Sequence, residues 1–275
     1  MEALFDLTGQ VAIVTGAAKG LGKDYALALA TAGADLVLTG RKLENLSETH
    51  KLAEDLGSKV FLAQMDILNE ESIISAIESS YDHYGKIDIL VNNAGYNNRQ
   101  FALSYSWDEW SKIVDTNMKG SFFVAKEVIK KMIPKNYGRI INIGSGTAAF
   151  GYKTVSAYAA SRGGIKQMTM CLAAELAEYG ITVNCLSPGW FITDMTTKQF
   201  KDPDWSKNVI DRIPMKRFGT RHDLDSTIIY FASKASNYVT GQIIYVDGGF
   251  STGDVPAPNY VDIPEIMNKD KLSDA

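Results

Sequence analysis

Cysteine is scarce in this chain of 275 residues: there are two, Cys171 and Cys185. That excludes a disulfide scaffold and a thiolate-built zinc site. Cys171 falls in a helical stretch and Cys185 in an apolar run, so both are expected to be core thiols. Histidine is nearly as rare. His50, His83 and His222 lie in polar stretches without ligand spacing. They read as surface residues, and no metal is expected. No apolar run reaches the ~18 residues of a membrane span. Neither sign of charge accumulates. Lys and Arg number 28 against 32 Asp and Glu, a net charge of −4, with the two signs interspersed. A nucleic-acid or anionic-membrane partner is therefore not expected. Repeats and low-complexity tracts are also lacking. The opening residues, Met1 to Asp6, are acidic and do not form a secretory leader, which points to the cytoplasm.

What the chain does have is alternation. Short apolar runs at residues 11–15, 35–39, 60–64, 87–91, 139–143, 182–186 and 242–246 read as buried strands. Helical patterns separate them, at about 20–32, 42–56, 70–84, 107–132, 155–179 and 223–233. Strands that are apolar throughout have helices on both faces. The pattern predicts an α/β fold: a doubly wound parallel sheet of the Rossmann type, with ligands at the carboxyl ends of its strands. Residues 1–250 form one unit, with an insertion at 190–215. Residues 251–275, which hold three of the seven prolines, read as an appended tail.

Between the first strand and first helix stands Thr15-Gly16-Ala17-Ala18-Lys19-Gly20-Leu21-Gly22. Glycines there let the backbone approach a pyrophosphate, while the helix N-terminus directs N–H groups at it. The second strand ends Thr39-Gly40-Arg41. A carboxylate at that tip would hold a ribose 2′-hydroxyl; an arginine attracts a 2′-phosphate. Arg41, with Lys19 nearby, therefore favours NADP(H) over NAD(H).

The stretch Ser156-Ala157-Tyr158-Ala159-Ala160-Ser161-Arg162 places a tyrosine and a cation one helical turn apart, on one face. A phenol beside a fixed positive charge is suited to acid–base work. Together with Thr15-Gly16-x-x-x-Gly20-x-Gly22, this stretch joins a longer series: Asn92-Asn93-Ala94-Gly95, Asn117, Ser145, Pro188-Gly189, Thr193 and Val246-Asp247-Gly248-Gly249. In that order, over about residues 5–250, these motifs resemble the short-chain dehydrogenase/reductase family. The resemblance implies seven parallel strands with three helices per face. It also implies a homotetramer formed through the helices at 107–132 and 155–179.

The resemblance further implies site roles. Tyr158 exchanges a proton with the substrate oxygen, Ser145 hydrogen-bonds that oxygen, and Asn117 holds a relay water. The cofactor would lie against Gly16, Lys19, Gly20, Leu21, Gly22 and Arg41. Asp66 and Ile67 would meet its adenine, Asn93, Ala94 and Gly95 its ribose, and Pro188, Gly189, Phe191 and Thr193 its nicotinamide. Where the family carries lysine, this chain has Arg162. The resemblance implies that this cation both favours the phenolate and, with Tyr158, meets the nicotinamide ribose; arginine keeps the charge and offers five donors for both jobs, but it does not titrate. On charge alone, Arg162→Lys is expected to keep or raise turnover.

Substrate residues are expected in three loops: Tyr96, Asn97 and Arg99; then Thr147, Tyr152 and Lys153; then Trp190 and Met195. Arg99 could clamp a carboxylate bidentately. This lining suits a small polyhydroxylated substrate, a sugar or sugar acid. Within the family the chain resembles gluconate 5-dehydrogenases, and 3-oxoacyl-carrier-protein reductases as an alternative. A catalytically weak nucleotide-binding scaffold is the rival from another class.

Overall fold

The computed structural model describes residues 2–192 and 200–253. After a single turn, α1 (Glu2–Phe5), strand and helix alternate as the apolar periodicity requires. The strands are β1 (Val11–Thr15), β2 (Asp35–Gly40), β3 (Val60–Gln64), β4 (Ile89–Asn92), β5 (Gly138–Ile143), β6 (Ile181–Pro188) and β7 (Ile243–Val246). They form one seven-stranded sheet in the order β3-β2-β1-β4-β5-β6-β7, and every pair is parallel. The order reverses between β1 and β4, and a crevice opens at the carboxyl ends of those strands.

The helices are α2 (Gly20–Thr31), α3 (Ser47–Asp55), α4 (Glu70–Tyr84), α5 (Trp107–Val114), α6 (Gly120–Met132), α7 (Ser156–Leu176), α8 (Pro203–Asp211) and α9 (Asp225–Ala232). One face of the sheet packs Tyr25 and Leu29 of α2, Ala53 of α3 and Ile228 and Phe231 of α9. The other packs Ile77 of α4, Val124 of α6 and Leu172 of α7. That is three helical layers per face, counting α5 and α6 as one run. Local chemistry sets the helix ends. Asn69 caps α4 by accepting from the Ser72 N–H at 2.8 Å, and Gly85 closes it in the left-handed region at φ 71°.

The run expected at 107–132 as one helix is interrupted. Asp115–Lys119 form a π-helical turn between α5 and α6, and Asn117 sits buried inside it. Such a bulge re-aims side chains within a helix. The expectation that both cysteines are core thiols holds for Cys185 but not for Cys171, which is exposed on the outer side of α7. The alternation of α7 is broad enough that its small residues masked which face is outward. No helix among the described residues is long and apolar enough to cross a membrane, and no group of His, Cys, Asp and Glu among them could hold a metal ion. Thr193 and Met195, and the tail from residue 254, lie outside the described residues.

Candidate active site

The glycine turn after β1 is held by the end of β4. Thr15 accepts at Oγ1 from the backbone N–H groups of Asn93 and Ala94, both at 2.9 Å. Asn93 in turn donates from Nδ2 to the carbonyls of Thr15 at 2.9 Å and Gly16 at 3.3 Å. Gly16 and Gly20 have φ of 66° and 56°, the region in which a Cβ is penalised. Gly22 is required for space instead: a Cβ there would lie 2.2 Å from the Gly16 carbonyl oxygen and 2.4 Å from Asn93 Nδ2. Lys19 occupies the cap position of α2 without a side-chain cap bond. The first N–H groups of that helix are thus left for an anion. Arg41 is exposed just past β2, where its carbonyl accepts from Gln64 Nε2 at 3.0 Å. Leu21 packs against the core on one face of the sheet and Ile67 against the core on the other. Asp66 bends the chain after β3, accepting from the Leu68 N–H at 3.0 Å. A helix N-terminus without a side-chain cap, a turn whose glycines bring backbone to the surface, and the cations Lys19 and Arg41 fit a phosphorylated dinucleotide.

Asn117 is bonded within the protein. Its Oδ1 accepts from the Tyr96 N–H at 2.7 Å, and its Nδ2 donates to the Tyr96 carbonyl and to Ser161 Oγ, both at 3.0 Å. Ser161 donates to the Tyr158 carbonyl at 2.7 Å. The π turn therefore clamps the loop that carries Asn97 and Arg99 and joins it to α7. Both Nδ2 hydrogens are used in this clamp, while Oδ1 keeps a second lone pair.

The substrate loops converge. Asn97, Arg99, Ser145, Thr147, Tyr152, Tyr158, Pro188, Gly189 and Trp190 all line one cleft of about 580 Å³ that opens to solvent. They come from the ends of β4, β5 and β6 and from the first turn of α7. Ser145 Oγ also accepts from the Thr147 N–H at 3.2 Å, capping a short turn. Of the other residues in these loops, Lys153 is exposed and outside the cleft. Tyr96 turns its hydroxyl away to donate to Glu109 at 2.9 Å, and that bond holds its phenol above the usual range.

Three residues that line this cleft each keep a buried polar atom with no hydrogen-bond partner among the described residues: Asn97 Oδ1, Thr147 Oγ1 and Trp190 Nε1. Tyr152 joins the walls. The Arg99 guanidinium lies over its ring at 5.0 Å, Trp190 meets its edge at 5.2 Å, and its hydroxyl accepts from Trp205 Nε1 of α8 at 3.2 Å. Phe150, Val155 and Trp205 were not anticipated. The aromatic spacing around Trp205 was visible, but nothing local indicated which loop it would cover. Phe191 is buried against Gly219, and Gly189 sits against Asp247, where a Cβ would come within 2.4 Å.

Arg162 and Tyr158 share one face of α7 as expected, with the guanidinium carbon 5.0 Å from the ring centroid. Tyr158 beside its cation, Ser145 in the same cleft and a glycine turn at the switch point can together bind a dinucleotide and exchange a proton with a substrate oxygen, the chemistry of an oxidoreductase. A family model described as enoyl-(acyl carrier protein) reductase matches residues 16–251; the chain belongs to the short-chain dehydrogenase/reductase family.

Among its relatives, the gluconate 5-dehydrogenase of Gluconobacter oxydans (strain 621H) is 34% identical over 248 residues, 90% of this chain and 97% of that protein. A 3-oxoacyl-[acyl-carrier-protein] reductase of Thermotoga maritima is 36% identical over 244 residues, 88% of this chain and 98% of that one. A solved gluconate 5-dehydrogenase from Burkholderia cenocepacia J2315, in complex with NADP and tartrate, superposes with a TM-score of 0.89. It is 34% identical and covers 91% of this chain and 98% of its own.

Proposed function

We propose that this protein is an NADP(H)-dependent oxidoreductase that interconverts a secondary alcohol and a ketone on a sugar acid or related sugar. The carrying observation is the trio of unpartnered polar atoms, Asn97 Oδ1, Thr147 Oγ1 and Trp190 Nε1, in the cleft shared by Ser145 and Tyr158. An acceptor, a hydroxyl and a donor buried together match a chain of hydroxyl groups. A hydrocarbon would give none of them a partner, and the burial cost of about 1–3 kcal/mol apiece would stand unrelieved. A site built to hydrogen-bond its substrate rejects analogues that lack the groups. Arg99 on the same rim supplies a cation for the carboxylate.

NADPH, when bound, supplies the hydride. Lys19 and Arg41 would hold its extra phosphate, the N-terminus of α2 its pyrophosphate, and Pro188 to Phe191 its nicotinamide end. Ser145 donates a hydrogen bond to the substrate carbonyl oxygen, and Tyr158 delivers the proton to that oxygen as the bond order falls. In the oxidative direction Tyr158 takes the proton back. The two free cysteines suit a reducing cytoplasm. Exposed Trp107, Phe122 and Met170 on α5, α6 and α7 suit burial in a homotetramer.

The similarity to 3-oxoacyl-carrier-protein reductases supports a second reading, reduction of a 3-oxoacyl thioester. Following NADPH and NADH consumption with 5-ketogluconate, simple ketones and acetoacetyl thioesters separates the two. The proposal requires NADPH-dependent turnover of 5-ketogluconate above the thioesters. Preference for the thioester supports the second reading, and tight NADPH binding without turnover supports a scaffold.

A further inference from the structure

Arg162 is 4% exposed, and its planar fork reaches three segments at once. One terminal nitrogen, Nη1, donates to the Ile143 carbonyl at 2.6 Å. Ile143 ends β5, and Ser145 follows two residues later. The other, Nη2, stands where a side chain on Gly95 would begin: a Cβ there would lie 2.5 Å from Nη2 and 3.2 Å from Asn117 Oδ1. The guanidinium carbon lies 5.0 Å from the Tyr158 ring centroid. One group thus contacts the helix that carries Tyr158, the strand end that carries Ser145 and the turn Asn93–Gly95. Lysine ends in one nitrogen without a fixed plane, so it can serve one of these places but not all three.

We propose that Arg162 is a positioning strut. Its fork fixes the Ser145 segment relative to Tyr158, and the bare backbone at Gly95 is the matching half of the fit. This role is separate from the charge Arg162 offers to the phenol. It reverses the expectation built on charge alone, because lysine would keep the charge and lose the strut. Two further buried groups lie within reach of the same charge. These are the Tyr25 hydroxyl of α2 and the Cys185 thiol of β6; burial pushes both up in pKa and Arg162 opposes that. The guanidinium Nε has no hydrogen-bond partner among the described residues. The fork is therefore held at its tip, by the Nη1 bond to the Ile143 carbonyl and by the fit of Nη2 into the space beside Gly95.

The proposal rests on the reading of Ser145 and Tyr158 as the reacting pair only for its kinetic consequence. A double-mutant cycle tests it, with Arg162→Lys, Gly95→Ala and the pair. Melting of the cofactor-free proteins is read first; NADPH affinity by fluorescence and kcat and KM for 5-ketogluconate are read second. In the arginine background, Gly95→Ala displaces the fork and is expected to lower both melting temperature and kcat. Arg162→Lys is expected to lower melting by about 2–4 °C and kcat by roughly 10- to 100-fold, as for a misplacement near 1 Å. NADPH affinity should stay within about threefold. In the lysine background the space beside Gly95 is free, so alanine should cost little, a non-additive result.

Equal losses from Gly95→Ala in both backgrounds overturn the strut, and so does full kcat and melting in Arg162→Lys. If wild type reduces no ketone in the panel, the reading of function fails. The melting cycle still decides the strut: coupling between positions 95 and 162 supports it, and additivity overturns it.

Discussion

The sheet's carboxyl edge is built in two opposite ways. Around β1 and β4, Thr15 and Asn93 bond to each other's backbone, and glycines bring that backbone to the surface. In the loops that follow β4, β5 and β6, side chains line the cleft, and Asn97, Thr147 and Trp190 keep polar atoms with no partner among the described residues. The first region is satisfied and presents main chain; the second is unsatisfied and presents side chains. A phosphate is recognised by repeated N–H groups that any helix N-terminus can supply. A particular polyol has to be recognised by individual donors and acceptors. The contrast therefore separates a generic ligand half from a specific one.

The sharpest test is to silence one half and read the other. Tyr158→Phe keeps the ring under Arg162 and removes the proton. It should lower kcat by roughly 10²- to 10⁴-fold while NADPH binding, followed by fluorescence, stays near wild type. If NADPH affinity fell in parallel, the two halves would not be separable.

The reverse experiment breaks the generic half. Gly22→Ala places a Cβ 2.2 Å from the Gly16 carbonyl oxygen, against backbone that cannot rotate away. Overpacking of this kind costs about 1–3 kcal/mol, so NADPH affinity should fall roughly 10- to 100-fold and the melting temperature with it. An alanine variant that binds NADPH normally would mean the turn is looser than its hydrogen bonds imply.

These two halves also differ in how much of them could be read from the sequence. The glycine turn was legible because its constraints are local: left-handed φ at Gly16 and Gly20, and helix–strand contact at Gly22. The alternation of buried strands with helices and the pairing of Tyr158 with Arg162 were legible for the same reason, since period and spacing fix them. Of the residues named from the three loops, Asn97, Arg99, Thr147, Tyr152 and Trp190 do meet. That they leave three polar atoms unpartnered could not be seen, because each comes from a loop tens of residues from the next. The clamp of Asn117 on Tyr96 depends on a π turn that leaves no mark in hydrophobic period. Trp205 reaches Tyr152 from the far side of the chain's insertion, and only the fold brings them together.

Thr147→Val sharpens the comparison at the specific half, with effects of opposite sign. Removing a buried unpartnered hydroxyl should leave the cofactor-free protein as stable or up to about 1 kcal/mol more stable. Removing a group that bonds the substrate should raise KM for 5-ketogluconate by about 5- to 10-fold, with little change for a ketone lacking hydroxyls. A stability loss would show that Thr147 is structural. Unchanged KM would remove it from the recognition set.

The smallest effect is expected at the base of the specific half, where its groups are satisfied. Arg217 donates to Asp223 through Nη1 at 2.7 Å and Nη2 at 2.8 Å, and Asp223 accepts from the Thr220 N–H at 2.7 Å. Hydrogen bonding by Arg217, then by Thr220, holds the Asp223 carboxyl well below the usual aspartate value of 3.8. A carboxyl whose folded pKa is depressed adds stability above its unfolded pKa and loses it as pH falls through the folded value. The pair is half open to water, so screening limits the ionic part; with the capping bonds, the total should be about 1 kcal/mol. Asp223→Asn should therefore lower stability by about that much between pH 5 and 8 in denaturant titrations. The gap to wild type should close as the pH drops below about 4. A gap independent of pH would assign Asp223 to capping geometry alone. In either case kcat should be unchanged, because the base of the wall supports the cleft without lining its reacting side.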